Sequence, residues 1–187
     1  MYTYISGTQM GQAFDWGSRL GIAAGIAEVL TFMHQELSDD RIAHGNLKSS
    51  NILLNKNMEP CISEYGLIMM ENNNQVSSSS SFTNNAFEAD IYGFGVILLE
   101  LLTGKLVQGD NGVDLTRWVH SVIIEEWTAE VFDKYLISQG ASEERMMNLL
   151  QVAIKCVHSS PEARPTIKQV AVMINTLKEE EERSFNC

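Results

Sequence analysis

Residues 44–51 read His-Gly-Asn-Leu-Lys-Ser-Ser-Asn, and one carboxylate, Glu64, follows in the stretch Ser63-Glu64-Tyr65-Gly66. Glu64 carries the negative charge and the hard oxygen atoms that Mg²⁺ prefers. Lys48 brings a positive charge. Asn46 and Asn51 are neutral amides, which hydrogen-bond but barely accept protons. No carboxylate stands between Gly45 and Asn51. A reaction run there forgoes general-base assistance by a carboxylate, worth roughly 10²–10⁴ in rate.

These side chains need a scaffold, and the surrounding sequence supplies a helical one. Asp15 is placed as an N-cap, with a helix expected from there to about Gln35. Leu20, Ala23, Ala24, Ala27 and Leu30 recur at three- and four-residue steps and form one buried stripe. Gly21 and Gly25 each cost that helix about 1 kcal/mol relative to Ala, so close packing is expected of them. Ile52-Leu53-Leu54, the polar turn Asn55-Lys56-Asn57 and Cys61-Ile62 read as two short strands joined by a turn.

Residues 71–85 are mostly Asn and Ser, with a serine at every position from Ser77 to Ser81. Such a segment buries little apolar area and is expected to be mobile. Ile91 to Leu102 is apolar on nearly every side, as in a helix at the axis of a domain, and Gly104 is its stop. Leu115, Trp118, Val119, Val122 and Ile123 mark an amphipathic helix. Another opens at Ser142-Glu143-Glu144 and runs to about His158, with Met147, Leu150, Ile154 and Val157 as its inward stripe. Thr166-Ile167-Lys168-Gln169 is a capping box for a last helix that turns Val170, Met173, Ile174 and Leu177 inward. The expected fold is mainly α, about five helices with one small strand pair.

Composition narrows the function classes. The 187 residues hold 13 Lys and Arg against 24 Asp and Glu, a net charge of -11. That balance argues against nucleic acid or anionic lipid as a partner through bulk electrostatics. Part of the excess lies in Lys178-Glu179-Glu180-Glu181-Glu182-Arg183, which reads as a solvated helix end. Cys61, Cys156 and Cys187 are far apart and odd in number, so neither a zinc site nor a disulfide framework is suggested. A reduced, cytoplasmic setting fits them. No signal peptide opens the chain, and no stretch reaches the roughly 18 apolar residues of a membrane span.

The spacing of His44, Leu47, Lys48 and Asn51 is similar to the H-R-D-L-x-x-x-N catalytic loop of protein kinases. Phe14-Asp15-Trp16 with Arg19-Leu20, Asn51-Ile52-Leu53-Leu54, the run from Asp90 to Gly104, Glu126-Trp127, Val131-Phe132-Asp133 and Ala163-Arg164-Pro165 extend the likeness in order. Over about residues 12–180 the chain resembles the C-terminal lobe of a eukaryotic protein kinase. The nearest likeness is to plant receptor-like kinases of the leucine-rich-repeat type, particularly members regarded as inactive.

The resemblance implies roles for single residues. Asn46 stands where the catalytic Asp is expected, and Gly45 where an Arg is expected. Lys48 matches the lysine that approaches the transferred phosphate, Asn51 a metal ligand, and Glu64 the metal-binding Asp of D-F-G. ATP and Mg²⁺ are the cofactors so implied, held weakly or not at all. Glu for Asp shifts the ligand oxygens by over an ångström, and misplacement on that scale can cost about 10²-fold. Asp90 is expected to brace the catalytic loop through its backbone, and His44 to act in packing. Ala86-Phe87-Glu88 is too degenerate to stand for the A-P-E segment, so Arg164 is expected to lack its usual glutamate partner.

Nothing upstream of residue 44 reads G-x-G-x-x-G, so a C-lobe without an N-lobe is expected: a remnant at 1–11, the lobe at 12–182 with a mobile segment at 71–87, and a tail at 183–187. Val152-Ala153-Ile154-Lys155 spells V-A-I-K, but it follows the catalytic loop rather than preceding it and is not an ATP lysine motif. The leading expectation is a pseudokinase-type module that binds or scaffolds signalling proteins, such as another receptor kinase. The alternatives are a weak ATP-dependent Ser/Thr kinase and a truncated, non-functional copy. A site at the cytoplasmic face of the plasma membrane, through an upstream segment, is implied by the resemblance alone.

Overall fold

The structure, a computed structural model, describes residues 3–5, 14–36, 43–65, 79–107, 113–124 and 128–184. The first long helix, α1 (Trp16–Glu36), starts where the sequence places its cap. Asp15 Oδ1 accepts the Ser18 N–H at 2.8 Å. That bond holds the Asp15 carboxyl below its ordinary range. The stripe of Leu20, Ala23, Ala24, Ala27 and Leu30 is buried, as read from its spacing.

The two expected strands are β2 (Ile52–Leu54) and β3 (Pro60–Ile62), paired antiparallel with Leu53 opposite Cys61. A third strand, β1 (Thr3–Tyr4), adds to the other edge of β2, with Tyr4 opposite Leu53. Two residues are too few to show a period-2 pattern, so β1 left no signal in the sequence.

The central helix α2 (Ser79–Thr103) is longer than its apolar run, starting a dozen residues before Ile91. Its first turns take up part of the Asn/Ser-rich segment; residues 66–78 lie outside the described residues. Ile91, Phe94, Ile97, Leu98, Leu99, Leu101 and Leu102 are all buried, which makes α2 the axis of the core. Around it stand α3 (Val113–Ile124), the short α4 (Lys134–Ser138), α5 (Glu143–Cys156) and α6 (Ile167–Ser184). The main helix contacts are α1 on α6 and α2 on α5.

Close approach at α2 and α5 needs Gly95, where a Cβ would lie 2.7 Å from both Cys156 Cβ and Val157 Cγ1. Gly25 likewise admits Pro60, 2.7 Å from where its Cβ would stand, whereas Gly21 has open space. Of Gly21 and Gly25, only Gly25 therefore serves packing.

The capping box forms: Gln169 Oε1 accepts the Thr166 N–H at 2.9 Å, and Thr166 Oγ1 accepts the Gln169 N–H at 3.3 Å. On α5 the buried stripe is Met146, Leu149, Leu150, Val152, Ala153 and Cys156, while Met147 and Ile154 are only partly buried. Of the expected stripe Leu150 and Val157 are buried, and Met147 and Ile154 pack against the core from its edge. Lys155 is exposed, away from the stripe.

Two ion pairs close the bundle. Arg19, fully buried, donates to Asp133 Oδ2 at 2.6 Å and to the Leu101 carbonyl at 2.7 Å. Glu181 departs from the solvated helix end expected of its neighbours: it is buried and accepts from Trp16 Nε1 at 3.0 Å and Arg145 Nη1 at 2.5 Å. Glu179 with Arg183 and Glu182 with Lys178 remain exposed pairs. Among the described residues, no helix is long and apolar enough to cross a membrane.

Candidate catalytic-loop site

The segment from His44 to Asn51 seats on the middle of α2. Asp90, fully buried on α2, accepts the His44 N–H on Oδ2 at 2.8 Å and the Gly45 N–H on Oδ1 at 2.7 Å. One carboxylate so satisfies two successive main-chain donors and fixes the direction of the loop. Gly45 has a φ of 78°, a left-handed conformation that glycine adopts without a Cβ clash. The backbone bracing expected of Asp90 is present.

His44 is fully buried. Its Nδ1 accepts the Asn46 N–H at 3.2 Å, so the ring proton sits on Nε2 and is donated to the Ser63 carbonyl at 2.9 Å. The imidazole thus ties the loop to the strand end that precedes Glu64, a packing role rather than that of an open base.

Backbone and side-chain bonds link Asn46, Lys48 and Asn51, the Lys48 carbonyl accepting the Asn51 N–H at 2.9 Å, and tie Asn51 to the residue before Glu64. Asn51, buried, donates from Nδ2 to the Asn46 carbonyl at 2.9 Å. The Asn51 carbonyl in turn accepts from Ser63 N at 2.9 Å and Ser63 Oγ at 3.0 Å. Glu64 is the next residue, exposed and held at a φ of 63°, a conformation non-glycine residues seldom adopt. The Asn46 side chain is exposed, and Lys48 is half-buried at the start of the one-turn 3₁₀ helix Ser49–Asn51. Gly66, the last residue of the Glu64-Tyr65-Gly66 reading, lies outside the described residues, as do Glu126 and Trp127.

The arrangement places an amide, not a carboxylate, at position 46. Asn51 spends its N–H₂ group on the loop backbone, which leaves Oδ1 as the atom able to face a cation. Among the described residues, no group of three or more His, Cys, Asp or Glu side chains could hold a metal ion by itself. Of Asn46, Lys48, Asn51 and Glu64, Glu64 is the one carboxylate, and none stands at position 46.

Two features escaped the sequence reading. Arg164 finds main-chain partners in place of a glutamate side chain: Nη1 donates to the Glu88 carbonyl of α2 at 2.9 Å, Nε donates to the His158 carbonyl at 2.9 Å, and the guanidinium lies 5.0 Å from the Tyr92 ring centre. Glu88 serves through its main chain, so its side-chain type gave no warning. Glu100, 2% exposed inside α2, accepts the Val107 N–H on Oε1 at 2.8 Å, while Oε2 has no hydrogen-bond partner. Burial pushes its carboxyl up; the Val107 N–H and the nearby Ser49 hydroxyl oppose that rise without satisfying Oε2.

The family model for the protein kinase domain matches residues 12–173. An Arabidopsis thaliana protein named probable inactive receptor kinase RLK902 is 40% identical over 187 residues, covering 88% of this chain and 28% of its own length. Other Arabidopsis relatives bear similar "probable inactive" names. The chain therefore spans under a third of the length of most of these curated relatives, and about half of one. Among solved structures, the pseudokinase domain of BIR2, described as an immune regulator of the RLK/Pelle family, superposes with a TM-score of 0.79 at 26% identity, covering 95% of this chain and 56% of that one. The kinase domain of maize SIRK1, solved with AMP-PNP, gives 0.72 at 28% identity, covering 94% and 66%. With the family model spanning most of the chain and the loop geometry in place, the chain belongs to the protein kinase domain family, alongside plant receptor-like kinases several of which are named inactive.

Proposed function

We propose that this chain is a pseudokinase module that works by binding other signalling proteins, such as the cytoplasmic part of a receptor kinase, without transferring phosphate. One observation carries the reading. The loop is seated by Asp90 and closed by the Asn51–Asn46 bond, yet the residue it presents at the base position is an exposed amide. A frame kept in order around a missing proton acceptor serves shape better than catalysis. Phosphoryl transfer draws mostly on positioning and charge, so loss of the base alone lowers the rate without abolishing it. Lys48 and Asn51, which keep the expected types, thus favour a second reading, a weak ATP-dependent Ser/Thr kinase.

The residues present fit Mg²⁺ and ATP only loosely. Mg²⁺ is commonly held by one or two protein oxygens, with water and phosphate completing its shell. Asn51 Oδ1 and Glu64 would be those two oxygens, and Lys48 would face the phosphates. The nucleotide would supply the phosphoryl group; the chain's own part is limited to holding charge.

The binding reading is tested by capture of purified receptor-kinase cytoplasmic domains on immobilised chain. Binding should survive the triple substitution K48A/N51A/E64A. Its loss, with the fold intact by circular dichroism, would place the function in the nucleotide site and refute the module reading.

A further inference from the structure

The central helix carries a second buried carboxyl besides that of Asp90. Glu100 is 2% exposed, and one of its oxygens is spent on the link that follows α2, where Oε1 accepts the Val107 N–H at 2.8 Å. Oε2 is buried and has no hydrogen-bond partner. Buried polar atoms are nearly always paired, so a lone one directs attention to the polar groups beside it.

The Ser49 hydroxyl is such a group. Among the described residues it is the one side chain that acts on the Glu100 carboxyl as a hydrogen-bond donor. Ser49 is itself buried, and its hydroxyl makes no other hydrogen bond among the described residues. The path of the chain agrees. Asp90 holds His44 and Gly45, and a Cβ on Gly93 would lie 2.5 Å from the Leu47 carbonyl oxygen, so the loop runs along α2 in the helix direction. Lys48 is extended, with φ of -155° and ψ of 159°, and carries the chain about 7 Å onward from Leu47 to Ser49. Glu100 stands seven residues beyond Gly93, about 10 Å along the helix, and helical side chains lean back towards the N-terminus. A hydroxyl donates to a charged carboxyl and accepts from a neutral one, so the two groups can pair in either charge state.

We propose that Glu100 is a positioning residue for the turn from Lys48 to Asn51, acting through the Ser49 hydroxyl on Oε2. Ser49 opens the one-turn 3₁₀ helix Ser49–Asn51, which the Asn51 N–H closes on the Lys48 carbonyl at 2.9 Å. One carboxyl then joins the central helix, the link that follows it and the turn that presents Lys48 and Asn51. Asp90 holds the front of the loop and Glu100 its back. The role is the same whether the chain binds partners or transfers phosphate.

The test is amide hydrogen exchange in the full chain, read residue by residue by NMR, with α5 amides as the reference for global stability. Ser49→Ala should speed exchange at the Asn51 amide about fivefold, the equilibrium weight of one net hydrogen bond, and leave the Val107 amide unchanged. Glu100→Ala should speed both. With the two substitutions together, Asn51 should exchange no faster than in Glu100→Ala alone, because the two side chains make one bond. Glu100→Gln keeps an acceptor for Val107 and a donor for Ser49, and should leave Asn51 close to wild type. An Asn51 rate untouched by Ser49→Ala, or effects that multiply in the double variant, would overturn the proposal. So would a rise shared equally by α5, which marks lost stability rather than lost positioning. Should Glu100→Ala fail to fold, the Ser49→Ala rates decide alone.

Discussion

Asp90 Oδ1 stands 2.7 Å from the Gly45 nitrogen, and its companion oxygen 2.8 Å from that of His44. A single side chain on α2 so sets the path of the segment that, in a working kinase, would carry the base. Asp90→Ala strands two buried main-chain donors and the His34 ring. An unsatisfied buried donor costs about 1–3 kcal/mol, so the variant should lose about 3 kcal/mol or more in urea unfolding. A loss under about 1 kcal/mol would mean that water replaces the carboxylate and the brace is incidental.

Two glycines separate packing from propensity. Gly95→Ala drives a methyl group into Cys156 and Val157 and should destabilise by about 1–3 kcal/mol. Gly21→Ala meets nothing within 4 Å and should stabilise α1 by up to about 1 kcal/mol. Thermal melts of the two variants should shift in opposite directions.

Two carboxyls oppose each other in pH dependence. Burial raises Glu100, so its neutral form is favoured in the fold: that contribution is full below the unfolded value and is lost as pH rises through the folded one. Asp15, lowered first by the Ser18 N–H, contributes above its unfolded value and loses that contribution as pH falls through its folded value. Glu100→Gln should therefore gain stability relative to wild type as pH rises from 4.5 towards neutrality. Urea midpoints that keep a constant difference across that range would contradict the burial argument.

Much of this was legible in the sequence, for reasons tied to local chemistry. The α2 axis showed as an apolar run interrupted by Glu100, the α6 start as Thr166 and Gln169 three residues apart, and the loop as a spaced set of types. What stayed hidden depends on partners far along the chain. Arg19 and Asp133 are 114 residues apart, and nothing local to either marks the pairing. Glu181 looks like Glu180 or Glu182 until Trp16 and Arg145 close on it. Arg164 finds a carbonyl, which every residue has, so the type of residue 88 was no guide.

Nucleotide holding should be feeble. A dissociation constant above about 5 mM means that about 1 mM ATP with Mg²⁺ stabilises the fold by only about 0.1 kcal/mol. Thermal-shift titration should show no resolvable rise. A clear rise that disappears in N51A/E64A would show that the two oxygens hold the metal after all.

The central claim is that this chain keeps the loop of a phosphotransferase in place without the group that takes the proton. Incubation of the purified chain with radiolabelled ATP, Mg²⁺ and Ser/Thr peptides measures it directly. The account predicts peptide label no higher than in a blank without protein. Label on the peptide from the wild-type chain, lost when Asn46 is changed to Ala, would contradict it.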